Sequence, residues 1–457
     1  GEATTMEVKA VSLQYPPPGK ALASGLPRLG RSHPTPSPSS FSSFNSRHHT
    51  TTRRLVLAMS SHDKERKQTA IETRLVHLTD KLEDPFDSVA PPLYQTATFN
   101  QPGATDCGPY DYSRSGNPTR TLLERQMADI ESADAAFAFA SGMAAIATVM
   151  RLVTPGQAVV AGNDIYGGTQ RFLGKIAPNK QGLTVRHVDM TKIDEVKGAL
   201  EKGDVRLVLV ETPTNPRLEV CDIKAICELA HEYGAYVCVD NSIMAPIFQR
   251  PIELGADISM TSATKFIAGH SDVTGGILSV VGKELAEEIY FHQNAEGNMM
   301  SPFEAWLALR GLKTMALRME KQAQNAEAIA SFLKDHPLVK KVNYAGLSDH
   351  PGSEIHAKQA SSGGSIISFE TGDVEVSRRI VENTELFKIT VSFGSVTSLI
   401  SMPCYMSHAS VPAEIRAERG LADDLVRISA GQLSRCILHP IRLIKRMKKK
   451  KKKKLTK

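Results

Sequence analysis

The chain has 457 residues, 41% of them hydrophobic and 23% charged, with a formal net charge of +6. That length allows two or three domains around a sizeable core, and no apolar run approaches the length of a membrane-spanning helix. The positive charge sits at the ends: residues 8–62 hold seven basic residues and no acid, residues 432–457 hold twelve and no acid, and the body from Asp63 to Gly431 has 36 basic against 47 acidic residues, a net −11. A nucleic-acid surface needs a basic face on the folded body, and this body is acidic.

Residues 1–59 read as a cleaved address and not as part of the fold. The stretch is rich in Ser and Pro (Ser37-Pro38-Ser39-Ser40-Phe41-Ser42-Ser43), poor in acid, and runs through Arg53-Arg54. A secretory signal needs a compact apolar stretch, which is missing here; the composition suits an organelle transit peptide, with high Ser and thinly spread Arg favouring the chloroplast stroma. Residues 60–116 are expected to form an N-terminal arm.

Alternation starts at Asn117-Pro118, which caps a helical stretch running to about Ile130. A short apolar run (Ala135–Phe139) and a helix opening at Gly142 and reaching Val153 follow. Further apolar runs at Ala158–Ala161, Arg206–Val210, Tyr236–Val239 and Ile258–Met260 read as strands, with amphipathic stretches at Ile193–Leu200 and Ile223–Tyr233 between some of them. Strand–helix alternation of this kind implies an α/β domain, over about 117–312, whose mostly parallel sheet is covered on both faces. A polar helical stretch from Pro302 to Asp335 leads into a smaller α+β domain (313–431), with strand candidates at Ser365–Phe369, Ile389–Ser392 and Leu425–Ile428. Residues 432–457 end in seven consecutive lysines, Lys448–Lys454. A polybasic tail could bind acidic partners, but a shifted reading frame entering poly-A explains the run more simply.

The six cysteines (Cys107, Cys221, Cys227, Cys238, Cys404 and Cys436) make no C-x-x-C pair, so no metal site is expected and buried free thiols are the better reading.

Chemistry concentrates where strands end. Ser262-Ala-Thr264-Lys265 follows the run Ala256-Asp-Ile-Ser-Met. A lysine there can condense with an aldehyde cofactor, and the hydroxyls of Ser262 and Thr264 can bond a phosphate; taken alone, S-x-T-K equally suits a surface lysine. Tyr236-Val-Cys-Val-Asp240 ends a strand in an acid. Such a carboxylate either caps the next helix or faces a pyridine nitrogen and keeps it protonated. Ser141-Gly142-Met143 opens a helix, which is a plain start or a phosphate cradle. Tyr166 is a core tyrosine or a platform for a flat ring. Glu211-Thr-Pro-Thr-Asn215-Pro again sits just past a strand.

In this order the pieces resemble the Cys/Met-metabolism family of fold-type-I pyridoxal-phosphate (PLP) enzymes, from about residue 70 to Gly431. The resemblance is carried by Tyr112-Ser-Arg114-Ser-Gly-Asn-Pro-Thr, Ser141-Gly-Met-Ala-Ala, Glu211-Thr-Pro-Thr-Asn-Pro, Ser262-Ala-Thr-Lys-Phe-Ile-Ala-Gly-His-Ser-Asp, Arg310-Gly-Leu-Lys-Thr and His408-Ala-Ser-Val-Pro. Val391-Ser-Phe-Gly-Ser-Val and Ser401-Met-Pro-Cys-Tyr-Met-Ser-His resemble the family's plant β-eliminating branch in particular. The resemblance implies an aspartate-aminotransferase-like fold, pyridoxal 5'-phosphate as cofactor, and a carbon–sulfur lyase of methionine biosynthesis. Its reaction would be α,β-elimination of L-cystathionine to homocysteine, pyruvate and ammonia.

Roles follow at matching positions. The resemblance implies that Lys265 carries the cofactor and moves the proton. Asp240 pairs the pyridine nitrogen, Tyr166 stacks on the ring and shares in proton delivery, and Asn215 meets the 3-hydroxyl. Gly142, Met143, Ser262 and Thr264 hold the phosphate. Tyr112 and Arg114 reach the cofactor of a neighbouring subunit, which implies a homo-oligomer built as a dimer of dimers. Arg416 and Ser392 match residues that hold the substrate α-carboxylate, a task suited to a guanidinium fork. Many γ-acting relatives carry Glu where this chain has Val391; the apolar residue favours β-elimination, or is a core valine with no bearing on specificity. A catalytically dead relative is the non-enzyme alternative, against which the intact Lys265, Asp240 and Arg416 count. The family's acidic closing helix is absent after Gly431.

Overall fold

The computed structural model of the chain describes residues 69–77, 84, 86–409 and 413–433. The expected transit segment and nearly all of the basic tail lie outside the described residues.

Twelve strands fall into two sheets among these residues. In the larger sheet are β1 (Ala135–Phe139), β2 (Ala158–Gly162), β3 (Thr184–Val188), β4 (Val205–Glu211), β5 (Tyr236–Asp240), β6 (Ile258–Thr261) and β7 (Gly276–Val280), in the spatial order β1-β7-β6-β5-β4-β2-β3. The run β6-β5-β4-β2-β3 is parallel throughout, and β7 is antiparallel to both of its neighbours. The smaller sheet has β8 (Lys341–Asn343), β9 (Ile366–Glu370), β10 (Lys388–Ile389), β11 (Leu399–Ser401) and β12 (Val426–Ser429), in the order β10-β11-β12-β9-β8; β10 and β11 are parallel and the other pairs antiparallel. The expected α/β architecture, with a mostly parallel sheet and a smaller α+β part, is the one observed.

The larger sheet is apolar on both faces because helices cover both. One face packs Leu123, Met127, Ile277 and Leu309 together, and the other packs Phe139, Ile146, Val159 and Leu278. Around β4 and β5 a further cluster holds Val208, Val210, Val237 and Val239. The smaller sheet has its own core of Leu333, Ile367, Phe369, Ile400 and Ile428.

Helix starts follow the sequence signals. Asn117 accepts from Thr119 N at 3.0 Å ahead of Pro118 and opens Pro118–Glu131; Ser141 accepts from Ala144 N at 3.0 Å and opens Gly142–Val149. Three expectations shift. The helix from Gly142 ends at Val149 and continues as a 3₁₀ turn, Met150–Leu152. The long stretch from Pro302 divides into Pro302–Leu312 and Met315–Lys334. The strand expected at Ile389–Ser392 stops at Ile389, and Ser392 takes φ +79° to turn the chain inward. Of the cysteines, Cys221, Cys227, Cys238 and Cys404 are buried thiols as expected, Cys107 is exposed, and Cys436 is outside the described residues.

Candidate active site

Parallel strands end on one edge, and the candidate residues follow those ends. Gly142 comes after β1, Tyr166 after β2, Asn215 after β4, Asp240 closes β5, and Ser262, Thr264 and Lys265 come after β6. The smaller sheet contributes the rest. Ser392 follows β10, and β12 carries Arg427.

Lys265 is the centre. Its Nζ donates to Ser392 Oγ at 2.6 Å and lies 4.9 Å from the centre of the Phe393 ring. The loop is forced close: a Cβ on Gly394, which has φ +83°, would sit 3.1 Å from the Lys265 Cα, Cβ and C atoms, so this position needs glycine for both backbone and space. Burial and then the Arg427 charge push the Lys265 amine down to about 8, with Asp240 opposing. That value suits a lysine that gives and takes protons near neutrality.

Asp240 accepts from Ser242 N at 3.0 Å. Burial pushes its carboxyl up, while the Ser242 bonds and the Lys265 charge pull it back. Across the ladder it stands opposite Glu211. Glu211 is buried, and both its oxygens accept backbone N–H groups: Oε2 from Tyr166 at 2.8 Å and Oε1 from Asn215 at 2.9 Å.

The candidate phosphate cradle is equally local. Ser141 takes Ala144 N, which leaves the N–H groups of Gly142 and Met143 at the head of the helix without an intrahelical partner. A Cβ on Gly142 would lie 3.4 Å from Ser262 Oγ and 3.1 Å from Met260 Cε, so the helix start and the Ser262 hydroxyl are neighbours. Thr264 Oγ1 bonds Gly275 on both sides, donating to its O at 3.3 Å and accepting from its N at 3.0 Å. The Tyr166 ring lies over Gly168, where a Cβ would sit 2.5 Å from Tyr166 Cε1 and 3.0 Å from Met143 Sδ. A helix N-terminus with hydroxyls for a phosphate, an aromatic platform, a carboxylate at a strand end and an amine of lowered pKa together fit pyridoxal phosphate.

One residue at this site was missed from sequence. Arg427, 2% exposed, donates from Nη1 to Asn215 Oδ1 at 2.7 Å and from Nη2 to the Ser392 carbonyl at 2.8 Å, and its Cζ lies 5.5 Å from the Phe393 ring centre. Burial brings it down to about 10, against the pull of Tyr166 and Glu211. A buried cation whose two bonds go to neutral oxygens is costly for the fold. The available signal was a charged residue inside the apolar run Leu425–Ile428. Arg416, expected to do this work, lies instead on Ala413–Glu418 and pairs with Asp423 Oδ1 at 3.1 Å. Tyr112 and Arg114 stack on each other, guanidinium to ring centre 5.3 Å, and Arg114 bonds Asn294 Oδ1 at 3.3 Å; Tyr112 is 43% exposed. They stand apart from the Lys265 hydrogen-bond network. Val391 is exposed beside Ser392.

A family model described as Cys/Met metabolism PLP-dependent enzyme matches residues 72–433. A chloroplastic cystathionine beta-lyase of Arabidopsis thaliana is 57% identical over 366 residues, covering 80% of this chain and 78% of the relative. One of Mimosa pudica is 52% identical over 380 residues, covering 83% and 82%. Among solved structures, the cystathionine gamma-lyase of Lactobacillus plantarum complexed with L-serine superposes with a TM-score of 0.79 at 38% identity, covering 82% of this chain and 97% of that one.

Proposed function

This chain belongs to the Cys/Met metabolism PLP-dependent enzyme family, and on that premise we propose that it is a cystathionine β-lyase, splitting L-cystathionine by α,β-elimination into homocysteine, pyruvate and ammonia. The observation that carries the reading is Lys265, an amine lowered to about 8 and tethered to Ser392 between Asp240 and Arg427.

Pyridoxal phosphate, when bound, supplies the electron sink for charge left at Cα. Lys265 would anchor it until the substrate's own amine takes that place and frees the lysine; Asp240 would pair with its pyridine nitrogen, Tyr166 support its ring, Asn215 meet its 3-hydroxyl, and Gly142, Met143, Ser262 and Thr264 hold its phosphate. Arg427, with Ser392, holds the substrate α-carboxylate; this task moves to Arg427 from Arg416 because Arg427 bonds both Asn215 and Ser392. Held this way, the substrate presents its Cα proton to the Lys265 amine. Lys265 takes that proton and, with Tyr166 sharing in the delivery, passes it to the sulfur as the Cβ–S bond breaks. Homocysteine leaves as the thiol, and water hydrolyses the remaining three-carbon enamine to pyruvate and ammonia.

The active unit is a dimer, two of which form a tetramer, with Tyr112 and Arg114 completing the neighbour's phosphate site. Their exposure and their separation from the Lys265 network support this. The enzyme works in the chloroplast stroma as a step of methionine biosynthesis, a reading supported by the acid-poor, Ser-rich N-terminal stretch and by the chloroplastic relatives. The test is to identify the products formed from L-cystathionine.

A further inference from the structure

The cofactor loops after β2 and β4 meet at a shared carboxyl group. Tyr166 is the residue just before the helix Gly167–Lys175, and Asn215 lies four residues beyond the end of β4. The β2–β4 ladder pairs Ala161 with Leu209 and stops short of both residues, and beyond it Asp164 bonds Thr214. Glu211 ties Tyr166 and Asn215 themselves: its Oε2 accepts from Tyr166 N at 2.8 Å and its Oε1 from Asn215 N at 2.9 Å. Asn215 in turn accepts Arg427 Nη1 at 2.7 Å, Arg427 Nη2 reaches the Ser392 carbonyl at 2.8 Å, and Ser392 Oγ accepts from Lys265 at 2.6 Å. A single hydrogen-bonded path thus runs Tyr166–Glu211–Asn215–Arg427–Ser392–Lys265.

We propose that Glu211 is a positioning residue whose carboxylate clamps the Tyr166 loop to the Asn215 loop, and so sets both the ring platform and the guanidinium of Arg427. The inference rests on the reading of this site as a pyridoxal-phosphate site. Glu211 is buried, and an acid in such a place is costly unless its bonds repay the loss of water. Burial first, and then the facing charge of Asp240, push its carboxyl up; the two N–H bonds are among the effects that pull it back. Both oxygens accept a backbone N–H. A simpler cap would need one oxygen. Two N–H groups from separate loops on the same carboxylate make it a joint.

The joint predicts an asymmetric response. In Glu211→Gln one terminal atom becomes an NH₂ group that confronts a backbone N–H, so one loop is released while shape and volume stay. The measurements use the holoenzyme: rate of pyridoxal-phosphate release, visible circular dichroism of the bound cofactor, and kcat and KM for cystathionine. Glu211→Gln is expected to release cofactor about tenfold faster, the effect of losing one bond to a charged acceptor. Its visible dichroism weakens, and KM rises more than kcat falls because Asn215, the partner of Arg427, is held less firmly. Glu219→Gln, a nearby acid that pairs with Arg217, is the control and leaves all three unchanged. If Glu211→Gln does not fold, Glu211→Asp is measured in its place; it keeps the charge but is too short for both loops, and shifts the same readouts. A folded Glu211 variant whose release rate, dichroism and KM all stay within about twofold of the parent overturns the clamp. Should the parent enzyme make no pyruvate from cystathionine, the lyase reading fails separately, and release rate and dichroism still judge the clamp.

Discussion

Arg427 Nη1 donates to Asn215 Oδ1 at 2.7 Å, a bond between residues 212 positions apart that ties the smaller sheet to the edge of the larger one. The proposed carboxylate-binding guanidinium is therefore held by residues of both sheets, and its aim depends on how they meet.

Replacing Arg427 should show this directly. Arg427→Lys keeps the charge but loses the two-pronged geometry, and kcat/KM for cystathionine should fall roughly 10- to 100-fold, mostly through KM. Arg416→Ala, whose guanidinium pairs with Asp423, should change KM by less than about twofold. Steady-state kinetics of the two variants decide between them. A large KM effect at Arg416 with none at Arg427 would return the role to Arg416.

Lys265→Ala should abolish turnover by at least about a thousandfold and remove the borohydride-reducible link to the cofactor, while the fold survives. The check is turnover with peptide mapping after reduction.

The Lys265 amine titrates at about 8, pushed down by burial and by Arg427. Only the unprotonated amine attacks an aldehyde, so capture of pyridoxal phosphate by apoenzyme should speed up as pH rises through about 8 and level off above it. In Arg427→Ala one positive charge is gone, so the midpoint should move to higher pH. A midpoint that stays put or falls contradicts this.

Much of this site was readable in the sequence, and the reason is physical. Strand ends are set by local patterning, so Asp240, closing Tyr236–Asp240, and Lys265, just past Ile258–Thr261, stand where the apolar runs stop. Arg427 was not readable in the same way, because its value comes from tertiary contacts with Asn215 and Ser392 that no local pattern encodes. Glu211 was visible within its motif, yet its double bond to Tyr166 and Asn215 needs two loops brought together. Within the fold, β7 went unnoticed: Gly276–Val280 is a five-residue run that starts on the second glycine of a pair, and it gains its place by slotting antiparallel between β1 and β6. Ser392 was expected in a strand because Ile389–Ser392 is β-prone, but it takes φ +79° and its hydroxyl accepts from Lys265, a tertiary contact that no local pattern encodes.

Glu131 offers a test of stability away from the chemistry. It is fully buried with Ser259 Oγ at 3.2 Å, and burial raises its carboxyl to about 8 from 4.5. The folded state therefore holds a proton that the unfolded chain gives up above about 4.5, so this group's contribution is complete below that value and is lost as pH rises to about 8. Glu131→Gln carries no such cost. Its melting temperature should exceed the parent's by about 2–4 °C at pH 8 and match it near pH 5. An equal gain at both pH values would show that Glu131 does not titrate in this range.

Subunit sharing has its own test. Arg114→Ala and Lys265→Ala should each be weak or inactive, and a mixture that exchanges subunits should regain activity, because one hybrid site then holds both residues. Demonstrated exchange with no recovery would remove Arg114 from the neighbouring site.

The most direct test of the central claim gives purified holoenzyme L-cystathionine and identifies what is released. The account predicts pyruvate, ammonia and homocysteine in equal amounts, with no turnover in Lys265→Ala. Release of 2-oxobutyrate and cysteine would contradict it, and would put bond cleavage on the γ side of the same cofactor site.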